Sequence, residues 1–221
     1  MASLRRRIAA GLVGVVVLVP FVWAGTIDTA FIEQSWPAQS VRTYEVGRHE
    51  VRWRQHASRK EGIFTGVRFT APLDRPTVWR LSNDYQDIGK GTPGVTAVRF
   101  LENTPARQVI QINVKVLWKT VQLTFEVEQD PPKATRFRLV NKALGEYRGV
   151  CIFEESAAPG KEGAPAATQV ELATWLKPVR PVPAWLLLYV ERVTFMEAAR
   201  SFMKQCEQYP LAVDKVTNKH P

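Results

Sequence analysis

The sequence predicts an α+β domain in which a meander of antiparallel strands is followed by one long C-terminal helix. Three observations lead there. From residue 62 to residue 178, apolar residues recur at every second position in one segment after another, the period of half-buried strands. Short turns, several rich in Gly and Pro, separate those segments, which makes a meander rather than a set of crossovers. From Ala184 to Tyr209 no glycine or proline interrupts an apolar pattern of helical spacing.

The chain opens on LRRRIAAGLVGVVVLVPFVWA at residues 4–24. Three arginines precede an uncharged apolar run of 17 residues, Ile8 to Ala24. That layout fits a signal peptide or a signal anchor, and the length sits at the lower limit for a bilayer span. Val22 and Ala24 are small enough for the −3 and −1 positions of a cleavage site. Cleavage after Ala24 is favoured over a retained anchor, and both remain open. Arg5–Arg7 argue against a buried core helix. Either reading puts the domain outside the cytoplasm, in the periplasm if the source is bacterial, with the arginines on the cytoplasmic side.

Residues 25–60 read as a linker, with an extra edge strand where His49, Val51 and Trp53 share a face. The domain proper spans 61–209, and 210–221 reads as a flexible tail. Its first strand is GIFTGVRFTA, with Ile63, Thr65, Val67 and Phe69 alternating. Asp74 is a helix N-cap followed by Pro76 near the first turn, where the missing N–H costs nothing. Val78, Trp79 and Leu81 give that short helix its apolar side, and Asn83 and Asp84 end it. Tyr85–Lys90 form a second helical turn before GTPGV. Six strands follow: 95–102, 108–116, 118–129, 135–140, 145–154 and 168–178, with an Ala/Pro/Gly-rich loop at 156–167. On the final helix, Leu186, Tyr189, Val193, Met196, Ala199 or Arg200, and Met203 trace one side. Its first half, Trp185–Val190, is apolar nearly all round. Such a segment is covered on more than one side or faces a ligand or a membrane.

Composition narrows the function. Apolar residues make up 45% and charged residues 23%, ordinary values for a globular chain, and the length suits one domain. The net charge is +9, and without Arg5–Arg7 the balance is 27 basic against 21 acidic residues. The basic residues are scattered, with no dense stripe and no nucleic-acid module, so nucleic acid is not an expected partner. The histidines are His49, His56 and His220, none with metal-ligand spacing. There is no G-x-S-x-G, and GKGTPG at 89–94 leads into a strand rather than a helix, so it is no phosphate loop. No catalytic residue, metal or cofactor is expected. Cys151 and Cys206 fit no metal or redox spacing; a disulfide is open, and free thiols are favoured. Asp84 and Asp87 read as caps ahead of a gating role. Arg136 and Arg138 share a strand face that points to solvent; turned inward they would suit an anionic or carbonyl ligand head.

Three stretches carry a family resemblance. TAPLDRPTVWRLSNDYQDIGKGTPGV matches a first strand running into two short helices. GEYRGVCIFEE and TQVELATWLKPV match a penultimate and a last strand, with Ala167-Thr168 where Gly-Thr is usual. VPAWLLLYVERVTFMEAARSFMKQCEQ matches a helix that starts after a proline and grips the sheet. Across residues 62–208 the chain resembles the START-like superfamily of polyketide cyclases/dehydrases, lipid-transport and coenzyme Q-binding proteins and birch-pollen allergens. The resemblance implies the helix-grip fold, a curved antiparallel sheet closed by the C-terminal helix. Such a sheet cannot fill its own concave side, and the space left becomes a pocket. Candidate lining residues are Trp79, Tyr85, Phe125, Phe137 and Tyr147, then Phe153, Trp175, Trp185, Tyr189 and Met196. The expected function is non-enzymatic binding or transfer of a lipid, quinone or similar hydrophobic molecule by a monomer at a membrane surface. The alternatives are an enzyme of the polyketide cyclase/aromatase type and an envelope interaction module with a filled core.

Overall fold

The structure, a computed structural model, describes residues 26–32, 41–46, 49–58, 60–92, 94–105, 107–116, 118–141, 144–156, 167–179 and 183–217. The signal or anchor segment at residues 1–24, the loop at 157–166 and the tail beyond Thr217 lie outside the described residues.

One antiparallel sheet of nine strands carries the fold: β1 (Val41–Val46), β2 (His49–Ser58), β3 (Gly62–Ala71), β4 (Val95–Asn103), β5 (Arg107–Val116), β6 (Lys119–Asp130), β7 (Ala134–Leu139), β8 (Gly145–Ser156) and β9 (Ala167–Pro178). Their order in space is β1-β2-β3-β9-β8-β7-β6-β5-β4. Two short helices, α1 (Arg75–Ser82) and α2 (Tyr85–Gly91), connect β3 to β4, and α3 (Ala184–Thr217) closes the concave side. This is the helix-grip arrangement that the sequence predicts.

Local sequence explains the helix starts. The Asp74 carboxylate accepts the Thr77 backbone N–H at 2.8 Å, and Pro76 occupies the first turn of α1. Asn83 is the C-cap of α1, and Asp84 accepts the Asp87 N–H at 3.1 Å and so caps α2. The final helix runs 34 residues, past the predicted end at Tyr209 and through Pro210, whose missing N–H removes one i→i−4 bond. Among the described residues, no helix is long and apolar enough to cross a membrane.

Residues 25–60 hold more structure than a linker. Beyond the expected edge strand at 49–55 the sheet gains all of β2 and, outside it, β1. Val51 and Trp53 point into the core, and Tyr44 packs against it. The β1 segment VRTYEV mixes polar residues on both faces, so its period is not visible. Residues 26–32 lie as a strap over the convex face. Ile27, Thr29 and Ile32 are each 2% exposed. The Ile27 N–H donates to Glu128 Oε2 at 2.9 Å, and Arg54 donates to the Ile32 carbonyl at 3.0 Å. Phe31 meets Trp175 edge-on at 5.4 Å and Phe64 at 6.2 Å between ring centroids.

The helix α3 packs on β3 and β2 through Phe195, Ala199, Met203 and Cys206. That stripe shares Ala199 and Met203 with the predicted one, but its first half is rotated. Tyr189 and Val193 face outward, and Glu191 takes the inward position. A glutamate is normally assigned to the solvent side, so helical spacing alone points the wrong way here. Cys151 and Cys206 are both free thiols, pushed up to about 12, chiefly by burial.

Candidate functional site: a cavity beneath the grip

The pairing register sets out the concave face in rows. Val67, Leu172, Cys151 and Thr135 stand opposite one another across β3, β9, β8 and β7. In the next row toward α1 come Phe69, Val170 and Phe153. While α3 covers β2 and β3, α2 packs on β4 and α1 sits against β8 and β9. The middle of the concave face is left open, because one helix about 10 Å wide cannot cover nine strands. A cavity of about 610 Å³ results. That is an ordinary size for a small-molecule site.

Its walls are mostly apolar: Val67, Phe69, Val170 and Leu172 from the sheet, Ile88 from α2, and Phe195, Ala199 and Phe202 from α3. One neutral polar knot interrupts them. Asn83 Oδ1 accepts from Tyr85 Oη at 3.0 Å, Thr135 Oγ1 at 3.0 Å and Gln129 Nε2 at 3.4 Å. Asn83 Nδ2 in turn donates to the Trp79 carbonyl at 2.8 Å. Burial pushes the Tyr85 phenol well above its ordinary range, with the nearby Cys151 adding to it. Both groups therefore stay protonated at neutral pH. At the rim, Gln205 Nε2 of α3 reaches Asp87 Oδ2 of α2 at 3.2 Å, with Lys90, Lys204 and Gln208 around it. Asp87 lies 3.5 Å from Lys90.

Of the ten candidate lining residues, Tyr85 and Phe137 line this cavity. Phe137 packs with Phe125 and Tyr147 in a trio of rings at 6.1–6.2 Å. Phe153 lies in the buried core beside it, with Trp79 and Met196 packed against the same cluster. Trp175 is on the opposite, convex face beneath the strap, its indole N–H donating to the Glu61 carbonyl. Trp185 and Tyr189 are 70% and 55% exposed on the outer side of α3. The aliphatic wall, Asn83 and Phe195 were not singled out from sequence. Tyr147, Cys151 and Phe153 alternate along β8 and so share one face of the strand, a spacing that groups Cys151 with two of the candidate lining residues.

Charged groups gather on the convex face. Arg107 and Arg138 clamp the buried Glu126. Burial pushes the Glu126 carboxyl up, but the two guanidinium hydrogen bonds outweigh it and hold it below its ordinary value. The register puts Arg136 beside Glu128 on that same face. His49 pairs with Glu207 at 2.9 Å, outside the cavity lining. Among the described residues, no group of three His, Cys, Asp or Glu is placed to hold a metal ion.

Comparison with known proteins agrees with this architecture. The family described as "Polyketide cyclase / dehydrase and lipid transport" matches residues 71–203. No curated protein matches the sequence. Human STARD10 aligns over 86% of this chain and 80% of its own at 11% identity, with a TM-score of 0.59. A STAR-related lipid transfer protein from Xanthomonas axonopodis aligns over 76% and 99% at 12% identity, TM-score 0.54. The Zhui aromatase/cyclase from Streptomyces sp. R1128 aligns over 66% and 93% at 17% identity, TM-score 0.54. At these identities the likenesses establish the fold.

Proposed function

The chain belongs to the polyketide cyclase/dehydrase and lipid transport family, and from that premise we propose that it binds a hydrophobic molecule in the cavity and exchanges it with a membrane surface. The observation that carries this reading is the cavity itself, about 610 Å³ of space between apolar walls and neutral polar groups, with the charged Asp87, Lys90 and Lys204 at its rim. A ligand that moves from water into such a site gains roughly 25 cal/mol per Å² of apolar surface buried. Tyr85 and Cys151, held protonated, offer the ligand hydrogen bonds and no base. The carboxylate among the lining residues, Asp87, stands at the rim beside Gln205 and Lys90, so binding without chemical change suits the inner wall better than cyclisation does.

The outer side of α3 supports exchange at a membrane. Trp185, Leu186, Tyr189, Val190 and Val193, with Val179 just before them, form an exposed apolar patch. Arg192 lies 5.8 Å over the Tyr189 ring, a cation beside the patch. Trp and Tyr with a neighbouring Arg suit a lipid headgroup boundary. An N-terminal run at 8–24 that enters the membrane behind Arg5–Arg7 would hold a monomer there, outside the cytoplasm.

Native mass spectrometry of gently purified protein tests the proposal. A hydrophobic molecule that co-purifies and is lost on organic extraction is the expected result. Protein that is always empty, and takes up no lipid from vesicles, overturns it. A bound molecule that is converted on incubation would instead establish the cyclase-like reading.

A further inference from the structure

The hydrogen bonds of the polar knot have a direction. A carbonyl oxygen accepts and never donates, so the Asn83 atom 2.8 Å from the Trp79 carbonyl is the amide nitrogen. Asn83 Nδ2 also reaches Ser82 Oγ at 3.2 Å, which commits its second proton. Asn83 Oδ1 is thereby the atom that meets Tyr85 Oη and Thr135 Oγ1, each at 3.0 Å. An amide oxygen only accepts, so both hydroxyls turn their protons toward it. A hydroxyl has one proton, and neither group has a second to give.

Two further lining hydroxyls are committed in the same way. Ser82 Oγ donates to the Trp79 carbonyl at 2.9 Å, and Thr92 Oγ1 donates to the Ile88 carbonyl at 2.7 Å. Ser201, the remaining hydroxyl among the described lining residues, is exposed on α3. The side-chain donors Lys90, Lys204, Gln205 and Gln208 stand at the rim. Cys151, directly across from Thr135 in the pairing register, adds only a weak S–H donor. Asn83, Tyr85 and Thr135 all line the cavity. What the knot leaves for an occupant is therefore the oxygen lone pairs of Tyr85 and Thr135.

We infer that the knot selects the bound molecule by a hydrogen-bond donor: the ligand carries a hydroxyl, which donates to Tyr85 Oη or Thr135 Oγ1. The inference rests on the reading of the chain as a binder of hydrophobic molecules, and names the chemical class of the ligand. A hydroxyl adds a bond to lone pairs that are already in place. A ketone, ether or ester can only accept. To be bound at the knot it has to turn the Tyr85 or Thr135 proton away from Asn83, so it exchanges one hydrogen bond for another and gains nothing net. Left without a donor, a buried carbonyl loses the hydrogen bonds it made to water.

The test uses the purified full-length chain and displacement of an uncharged fluorescent probe, N-phenyl-1-naphthylamine. The competitors are 2-dodecanol against 2-dodecanone, a pair matched in length and shape, and 6-dodecanol against 6-dodecanone, which carry the same groups mid-chain. In at least one pair the alcohol should bind roughly fivefold more tightly than its ketone. Thr135→Val keeps the side-chain shape and removes the oxygen, and Tyr85→Phe does the same for the phenol. Each should shrink the alcohol-to-ketone ratio, and the double variant should bring it to about one. A knot that served only to hold the fold would lower the melting temperature when cut and leave that ratio unchanged. The ratio in the native chain decides even where a variant does not fold. Equal binding within both pairs, tighter binding of the ketones, or a ratio unmoved in folded variants overturns the inference and leaves the binding reading in place. If neither the probe nor any competitor binds, the binding reading falls and the inference with it.

Discussion

Raising the pH from 5 to 8 should weaken this fold by about 2.5 kcal/mol, and replacing Glu191 by Gln should remove that dependence. The sign follows from proton counting. The folded carboxyl titrates near 7, above its ordinary 4.5, so between those values the folded chain holds a proton that the unfolded chain has released. Stability from this group is complete below about 4.5, declines from there and is lost as pH passes about 7. At 1.36 kcal/mol per unit the whole displacement amounts to about 3 kcal/mol. Other shifted groups act elsewhere. The Glu126 carboxyl is lowered, so its contribution is present above its ordinary 4.5 and lost only on further acidification. Burial raises Cys151, Cys206, Tyr85 and Tyr147, but their ordinary values are 9.0 and 10.0, so their losses begin in alkali. Urea unfolding at pH 5, 6, 7 and 8 measures the effect. Gln keeps an acceptor for Thr65 and should be less stable than Glu at pH 5, more stable at pH 8. A flat profile for the native chain, or an equal slope in the variant, would refute the buried position of this carboxyl.

Two further substitutions probe the cavity wall and the outer face. A Cβ added at Gly149 would stand 2.2 Å from Phe137 Cζ, so Gly149→Ala should displace that ring, cost about 1–3 kcal/mol and alter apolar-dye binding; an unchanged melt and unchanged dye binding would contradict the packing. Leu186→Glu should change unfolding by no more than about 0.5 kcal/mol while slowing vesicle-to-vesicle transfer of a fluorescent lipid. Intact transfer would remove the membrane role, and a collapsed melt would place Leu186 in the core.

The fold was legible where side-chain spacing alone carries it. Val67 and Phe69 alternate cleanly, Asp74 caps α1 three residues before the Thr77 amide it binds, and Gly/Pro turns separate the later strands. The strap was not legible, because Ile27, Phe31 and Ile32 bury themselves without a helical or strand period. On α3 the apolar pattern was ambiguous by design of the surface: Tyr189 and Val193 are apolar but outward, whereas Glu191 is polar and inward. A helical stripe assumes that polarity and exposure go together, and this helix departs from that on both sides. In the cavity, alternation assigns a face and not a depth. Cys151 and Phe153 share a face, yet one lines open space and the other fills the core beside it. The polar knot depends on Asn83 meeting Thr135 across 52 residues of sequence, a pairing that no local pattern announces.

The strap yields a prediction about where the domain begins. Cleavage after Ala24 would leave residues 25–221, which retain Ile27, Thr29, Phe31 and Ile32. A chain of residues 33–221 would lose them and uncover Val150, Ala173 and Trp175, which are 0%, 1% and 9% exposed beneath the strap. Full burial of each isoleucine is worth about 1.5–3 kcal/mol, so the two together contribute about 3 kcal/mol or more. A domain of this kind is stable by only about 5–15 kcal/mol, so the loss is a large share. For a chain of this size it corresponds to a fall in Tm of roughly 6–12 °C. The newly exposed apolar face should also promote association, visible by light scattering below the transition. Scanning calorimetry of the two chains decides the matter. If 33–221 melts within about 2 °C of 25–221 and stays monodisperse, the strap contributes nothing to stability, and the domain begins at β1. If it melts far lower, residues 26–32 are part of the folded unit. A membrane segment ending at Ala24 would then end within about 10 Å of Ile27, because three residues cannot span more.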